Sequence, residues 1–214
     1  MAVEIKICGL TRAADAAVAV AAGASYLGVV FAGGPRQVDP ERARQIVASA
    51  EGVPVLAVSG SATANELLRL RDESGISGVQ LHGDHPASLP VELRAEGLLV
   101  WEVARLADAA GLHGLAARAA LADAILVEPR VVGALGGTGT ALSLELAAEA
   151  RRHLAGFRMV LAGGLTPETV AAAIRAAQPD VVDVSSGVES VPGLKDPQRV
   201  FRFVEAVVGH HSPS

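Results

Sequence analysis

Short apolar runs recur along the chain with polar, Ala-rich stretches between them. The runs are "VEIKIC" (3–8), "YLGVVF" (26–31), "VPVLAVS" (53–59), "SGVQLH" (77–82), "LLVWEV" (98–103), "DAILVE" (123–128), "FRMVLAG" (157–163) and "DVVDVS" (180–185). Their apolar character is nearly continuous, which predicts strands buried on both faces, as in a parallel sheet. The intervening segments carry helical punctuation. "RAADAAVAVAAG" closes on Gly23, a residue suited to a helix C-terminus. "DPERARQIVASAEG" opens with Asp39 as N-cap and Pro40 in the first helical position, and Thr166–Pro167 and Asp196–Pro197 repeat that device. Strict alternation of eight strands with about eight helices predicts a single (β/α)₈ barrel over residues 1–209, followed by a frayed tail, 210–214. A doubly wound open sheet shares the alternation, so the pattern alone does not close the barrel.

Composition narrows the function classes. Half of the 214 residues are apolar, yet none of the runs approaches the ~20 residues of a membrane span. The first residues lead straight into a strand-like run without the apolar core of a signal peptide, so a cytoplasmic, membrane-free protein is expected. Cys8 is the only cysteine, which precludes an internal disulfide and fits a reducing compartment. A net charge of −5 argues against electrostatic nucleic-acid binding, and aromatics at 3% argue against single-strand stacking platforms.

In a barrel, the loops after the strands build one shared face, and function sits there. The predicted strand ends carry the polar chemistry: Cys8 after the first strand, His82 after the fourth, Glu128 after the sixth, and Asp183 near the end of the eighth. Arg36 lies in the loop after the second. Glycines punctuate the same face. Gly137, Thr138 and Gly139 follow the sixth strand, Gly163 and Gly164 the seventh, and Ser185, Ser186 and Gly187 the eighth. Glycine admits close backbone approach, and successive free N–H groups form an anion nest, so these loops suit a phosphate; each alone also reads as a plain turn. No Walker-type lysine accompanies them. "HGDH" (82–85) has a superficial metal-ligand look without a supporting cluster elsewhere, and no metal is expected.

The ordered set "KICGLT" (6–11), "GVVFAGGPRQV" (28–38), "VQLHGD" (79–84), "GGTGT" (136–140), "LAGGLTPETV" (161–170) and "DVSSGVESVPGLKD" (183–196) resembles the phosphoribosylanthranilate isomerase family of tryptophan biosynthesis, over residues 3 to 207. The resemblance implies a (β/α)₈ barrel that converts an N-linked ribosyl phosphate to a 1-deoxyribulose phosphate without a cofactor, as a monomer or homodimer. That Amadori rearrangement requires an acid to protonate the ring oxygen and a base to take the C2 proton. By the resemblance, Cys8 matches the general base and Glu128 stands where the family carries its aspartate general acid. A free thiol is only a few per cent ionised at neutral pH, so the site is expected to favour thiolate, with Lys6 two residues upstream on the same strand face supplying a cation. Lys6 is also placed among the substrate-binding residues, with Arg36 as a bidentate partner for the anthranilate carboxylate and Asp183 orienting a hydroxyl or a neighbouring donor. His82 either meets substrate or orders its loop.

The departures lie at the acid and at the aglycone end. Glu128 is one methylene longer than the family's aspartate, and Arg130 raises the prospect of an ion pair that would hold it ionised. "TALSLE" and "LAVSG" lack the bulk and polarity usual in the family after "GGTG" and in the third strand. Two further readings therefore stand beside the family's own activity: an isomerase for a different N-ribosyl phosphate, and a phosphosugar-binding barrel without catalysis.

Overall fold

All eight apolar runs form strands in the computed structural model, which describes residues 2–130 and 142–209. The strands are β1 (Glu4–Ile7), β2 (Tyr26–Val30), β3 (Val55–Ser59), β4 (Gly78–Leu81), β5 (Leu99–Leu106), β6 (Ala124–Pro129), β7 (Met159–Leu161) and β8 (Val181–Val184). Every neighbouring pair is parallel, and β8 returns to β1 in the register Glu4↔Val181 to Ile7↔Val184. The sheet is thus a closed barrel, and the open-sheet alternative falls.

Among the described residues, eight α-helices follow the strands: α1 (Ala13–Ala22), α2 (Pro40–Ala48), α3 (Ala64–Ser74), α4 (Leu89–Ala95), α5 (Leu115–Ala119), α6 (Leu144–His153), α7 (Val170–Ala177) and α8 (Pro197–Val208). Gly23 ends α1 at φ 103°, a left-handed conformation that costs glycine little. Asp39 caps α2 through Arg42 N, and Asp196 caps α8 through Gln198 N and Arg199 N, as their Asp-Pro starts predict. The Thr166–Pro167 start differs. Thr166 and Thr169 bond each other's backbone and side chain in a local turn, and regular helix begins only at Val170.

Strand period explains how the core divides. Ile5, Ile7, Leu27, Val29, Ala57, Val79, Ile125 and Val182 face outward into one apolar layer shared with the helices. The opposite phase fills the barrel interior with Leu56, Trp101, Val103, Leu126, Val160 and Val181. Lys6, Cys8, Gly28, Gln80, Glu128 and Asp183 fall on that inward phase, which is why residues on or just beyond five strands can converge.

One element has no counterpart in the sequence expectation. After β8 a 3₁₀ turn (Ser186–Val188) leads into an antiparallel hairpin of β9 (Glu189–Val191) and β10 (Leu194–Lys195). It places Lys195 in a buried strand position.

Candidate active site

A cavity of about 320 Å³ opens at the C-terminal mouth of the barrel, and Cys8, Arg36, Gln80, His82, Glu128, Asp183 and Ser185 all line it. The thiol and the carboxyl at opposite sides of the mouth therefore share one chamber. A β2 side chain would fill the thiol's space: a Cβ at Gly28 would lie 2.7 Å from Cys8 Sγ.

Lys6 lies beneath this chamber, fully buried, and does not reach it as a ligand-binding residue. Its Nζ donates to Asp183 Oδ1 and to Gln80 Oε1, each at 2.9 Å, and stands 5.6 Å from the centre of the Trp101 ring. Burial disfavours the ammonium, but Asp183 and the thiol outweigh it and raise the Lys6 pKa. Around Cys8 the balance goes the other way. Burial pushes the thiol up, Lys6 pulls it down, and the net shift is upward. The expected thiolate-favouring site is thus corrected: Lys6 opposes desolvation without overcoming it, and Asp183 adds a second, opposing charge.

Glu128 faces His82. Oε1 and imidazole Nε2 are 2.9 Å apart, yet they are out of line for a hydrogen bond, and neither atom has another partner among the described residues. Catalytic hydrogen bonds are often poorly aligned before substrate binds. His82 Nδ1 is turned to Gln80 Nε2 at 3.4 Å. Arg130 belongs elsewhere. It lines a second pocket with Arg105, Arg118, His85 and Glu102, where Glu102 is held by Arg118 Nη2 at 2.6 Å and His85 Nε2 at 3.2 Å. That pairing engages the second histidine of "HGDH", and among the described residues no group of three ligand-type side chains gathers that could hold a metal ion.

The bidentate edge of Arg36 is already in use. Nε and Nη2 donate to Glu189 Oε1 and Oε2 at 2.8 and 2.7 Å, and Lys195 Nζ donates to the same carboxylate at 2.8 Å. Burial would raise the Glu189 pKa, but the two cations hold it below the usual carboxylate value. The expectation of a forked grip on a ligand carboxylate therefore changes: Arg36 is fixed by Glu189 and offers the cavity only its remaining N–H groups. Sequence reading missed both Glu189 and Gln80. The signal for Gln80 was a polar residue two before His82 on the inward strand phase, the same spacing as Lys6 to Cys8.

After β7, Gly163 and Gly164 take φ values of 95° and 64°, in the left-handed region that favours glycine. Gly164, Ser186 and Gly187 line a groove of about 400 Å³ together with Arg199 and Arg202 of α8. The loops meet so tightly that a Cβ at Gly187 would lie 2.0 Å from Leu165 O. Gly137, Thr138 and Gly139 lie outside the described residues.

The chain matches the family model of N-(5'phosphoribosyl)anthranilate (PRA) isomerase over residues 5–206. It is 41% identical over 211 residues to the N-(5'-phosphoribosyl)anthranilate isomerase of Magnetococcus marinus, covering 97% of this chain and 96% of that one. With the Pseudomonas aeruginosa enzyme of the same name it shares 40% over 208 residues, 96% of this chain and 95% of the other. Among solved structures, the phosphoribosyl anthranilate isomerase of Thermotoga maritima superposes with a TM-score of 0.86 at 31% identity, covering 97% and 99% of the two chains. Another, determined with reduced 1-(o-carboxyphenylamino)-1-deoxyribulose 5-phosphate, gives 0.83 at 30% identity over the same shares.

Proposed function

From the premise that the chain belongs to the phosphoribosylanthranilate isomerase family, we propose how its own residues divide the work of that reaction. The protein is an intramolecular aldose–ketose isomerase acting on N-(5'-phosphoribosyl)anthranilate. The observation that carries the assignment of roles is the single chamber lined by both Cys8 and Glu128.

Glu128 is the general acid. Its proton goes to the furanose ring oxygen, the C1–O bond breaks, and a cationic Schiff base forms between the anthranilate nitrogen and C1. Cys8 thiolate then takes the proton from C2, and the C–H electron pair becomes the C1–C2 double bond of an enolamine that tautomerises to the ketone. Burial makes the thiolate scarce but also more basic. The Schiff-base cation compensates, because a positive charge beside the thiol favours its ionised form at the moment it is required.

Phosphate is held by the loops after β7 and β8, through Gly163, Gly164, Ser185, Ser186 and Gly187, with Gly137, Thr138 and Gly139 of the loop after β6 assigned from the sequence. Arg36 meets the anthranilate carboxylate with the N–H groups that Glu189 leaves free, and Asp183 offers Oδ2 to a sugar hydroxyl while Oδ1 holds Lys6. The test is turnover of phosphoribosylanthranilate, followed by loss of anthranilate fluorescence, in wild type, Cys8→Ser and Glu128→Gln. Removing either proton-transfer group is expected to lower kcat by roughly 10²–10⁴-fold. Full turnover in a folded variant removes that residue from its role.

A further inference from the structure

Asp183, Lys6, Gln80, His82 and Glu128 form an unbroken polar file across the barrel interior, and all five are buried. Its contacts are Asp183 Oδ1–Lys6 Nζ at 2.9 Å, Lys6 Nζ–Gln80 Oε1 at 2.9 Å, Gln80 Nε2–His82 Nδ1 at 3.4 Å and His82 Nε2–Glu128 Oε1 at 2.9 Å. We propose that Gln80 is a positioning residue for the reaction, setting the tautomer of His82 so that an Nε2–H points at the general acid.

Donor and acceptor chemistry runs one way along the file. An ammonium only donates, so the Gln80 atom facing Lys6 must be the carbonyl oxygen. The amide NH₂ is then the group turned to His82, and it too only donates. Nδ1 must therefore present its lone pair, and the ring proton sits on Nε2, facing Glu128 Oε1. Lys6 thus dictates which nitrogen of a residue on another strand carries hydrogen, although no contact joins them directly.

The consequence for chemistry follows from the same geometry. A donor at Oε1 reserves the other carboxyl oxygen, Oε2, as the site of the transferable proton. It also provides a hydrogen bond to the carboxylate that remains once the proton has moved to the ring oxygen. A wrong tautomer would turn a lone pair on the developing negative charge. Nε2 and Oε1 are buried, close and still out of line, so the pair holds a hydrogen bond that is made only when Nε2–H and Oε1 come into line.

This inference rests on Glu128 being the acid, and the experiment keeps the two apart. Imidazole ¹⁵N shifts of His82, assigned by comparison with His82→Asn, report the tautomer in the wild type without any turnover. The expected result is Nε2–H, and an Nδ1–H tautomer overturns the inference whatever Glu128 does. Gln80→Glu then keeps an acceptor for Lys6 but faces Nδ1 with an oxygen, which can only accept. The ¹⁵N pattern is expected to move to a protonated Nδ1, kcat to fall roughly 10- to 100-fold and KM to stay within about threefold. Gln80→Met, of similar length and without either hydrogen bond, should show a mixture of tautomers and a smaller loss of kcat. A folded Gln80→Glu enzyme with a switched tautomer and kcat within about twofold of wild type overturns the inference. Failure of Glu128→Gln to lower turnover would instead remove the acid assignment.

Discussion

Gly28 on β2 lies so close to Cys8, the residue just after β1, that a Cβ there would stand 2.7 Å from Sγ and 3.1 Å from Lys6 Cε. The glycine is required by space and not by backbone conformation, since its φ is not in the left-handed region. It is the void into which the thiol fits. Gly28→Ala is predicted to push Sγ out of the chamber and to lower kcat roughly 100-fold, the scale of a ~1 Å misplacement. Overpacking should cost about 1–3 kcal/mol in denaturant unfolding. An alanine variant of wild-type activity would show that the thiol's position is not constrained this way.

Because the chain has a single cysteine, thiolate ultraviolet absorbance reports Cys8 alone. Burial is the largest influence and raises its pKa, so the midpoint is expected above the ordinary ~8.5. The sign for stability follows. A raised thiol contributes in full below its unfolded-state pKa, and the contribution is lost as pH rises through the folded one. Lys6→Met should move the midpoint further up, since Lys6 is the main group pulling it down. A midpoint at or below 8.5 in the wild type would contradict the balance described.

The Lys6–Asp183 pair lies inside the barrel. Removing the ammonium alone leaves a buried carboxylate without its cation, and Lys6→Met is expected to cost about 3–5 kcal/mol. Lys6→Met combined with Asp183→Asn should cost less than the sum of the two single changes, because the partners are in contact. Additive costs in urea unfolding would mean the pair is not coupled.

Glu189 gives the opposite pH dependence from Cys8. Arg36 and Lys195 outweigh burial and lower its pKa, so its contribution is present above the unfolded carboxylate value of ~4.3 and is lost as pH falls through the folded one. The stability gap between wild type and Glu189→Gln should therefore be full at pH 7 and close on acidification. The same variant frees Arg36 from its fork, and KM is expected to rise several-fold with little change in kcat, since the aim of a binding group is lost and not a transition-state contact. A gap that persists unchanged to low pH would exclude charge as the basis of the pairing.

Much of this was legible in the chain. Continuous apolar runs located eight strands, Asp39 and Asp196 marked two helix starts, and Cys8, His82, Glu128 and Asp183 stood out as polar residues at strand ends. The β9–β10 hairpin was not read out, although Pro192–Gly193 between short β-type segments is a turn signal. Thr166–Pro167 misled in the other direction, because the threonines satisfied a local turn before the helix began.

Sequence by itself determined the alternation, and with it which residues share the inward phase, since the two-residue period of a strand is a local property. Lys6 with Cys8, and Gln80 with His82, were bound to share a face wherever their strands lay. Which of them would touch depended on closure of β8 onto β1 and on the stagger between strands, which no local pattern encodes. Only the folded barrel sets Asp183 against Lys6, Gln80 between two strands' ionisable groups, and Glu189 on Arg36. Electrostatic work depends on separations of a few ångströms between residues far apart in the chain. The inventory of chemistry was therefore written in one dimension, and the pKa shifts, the tautomer and the ion pairs were decided in three.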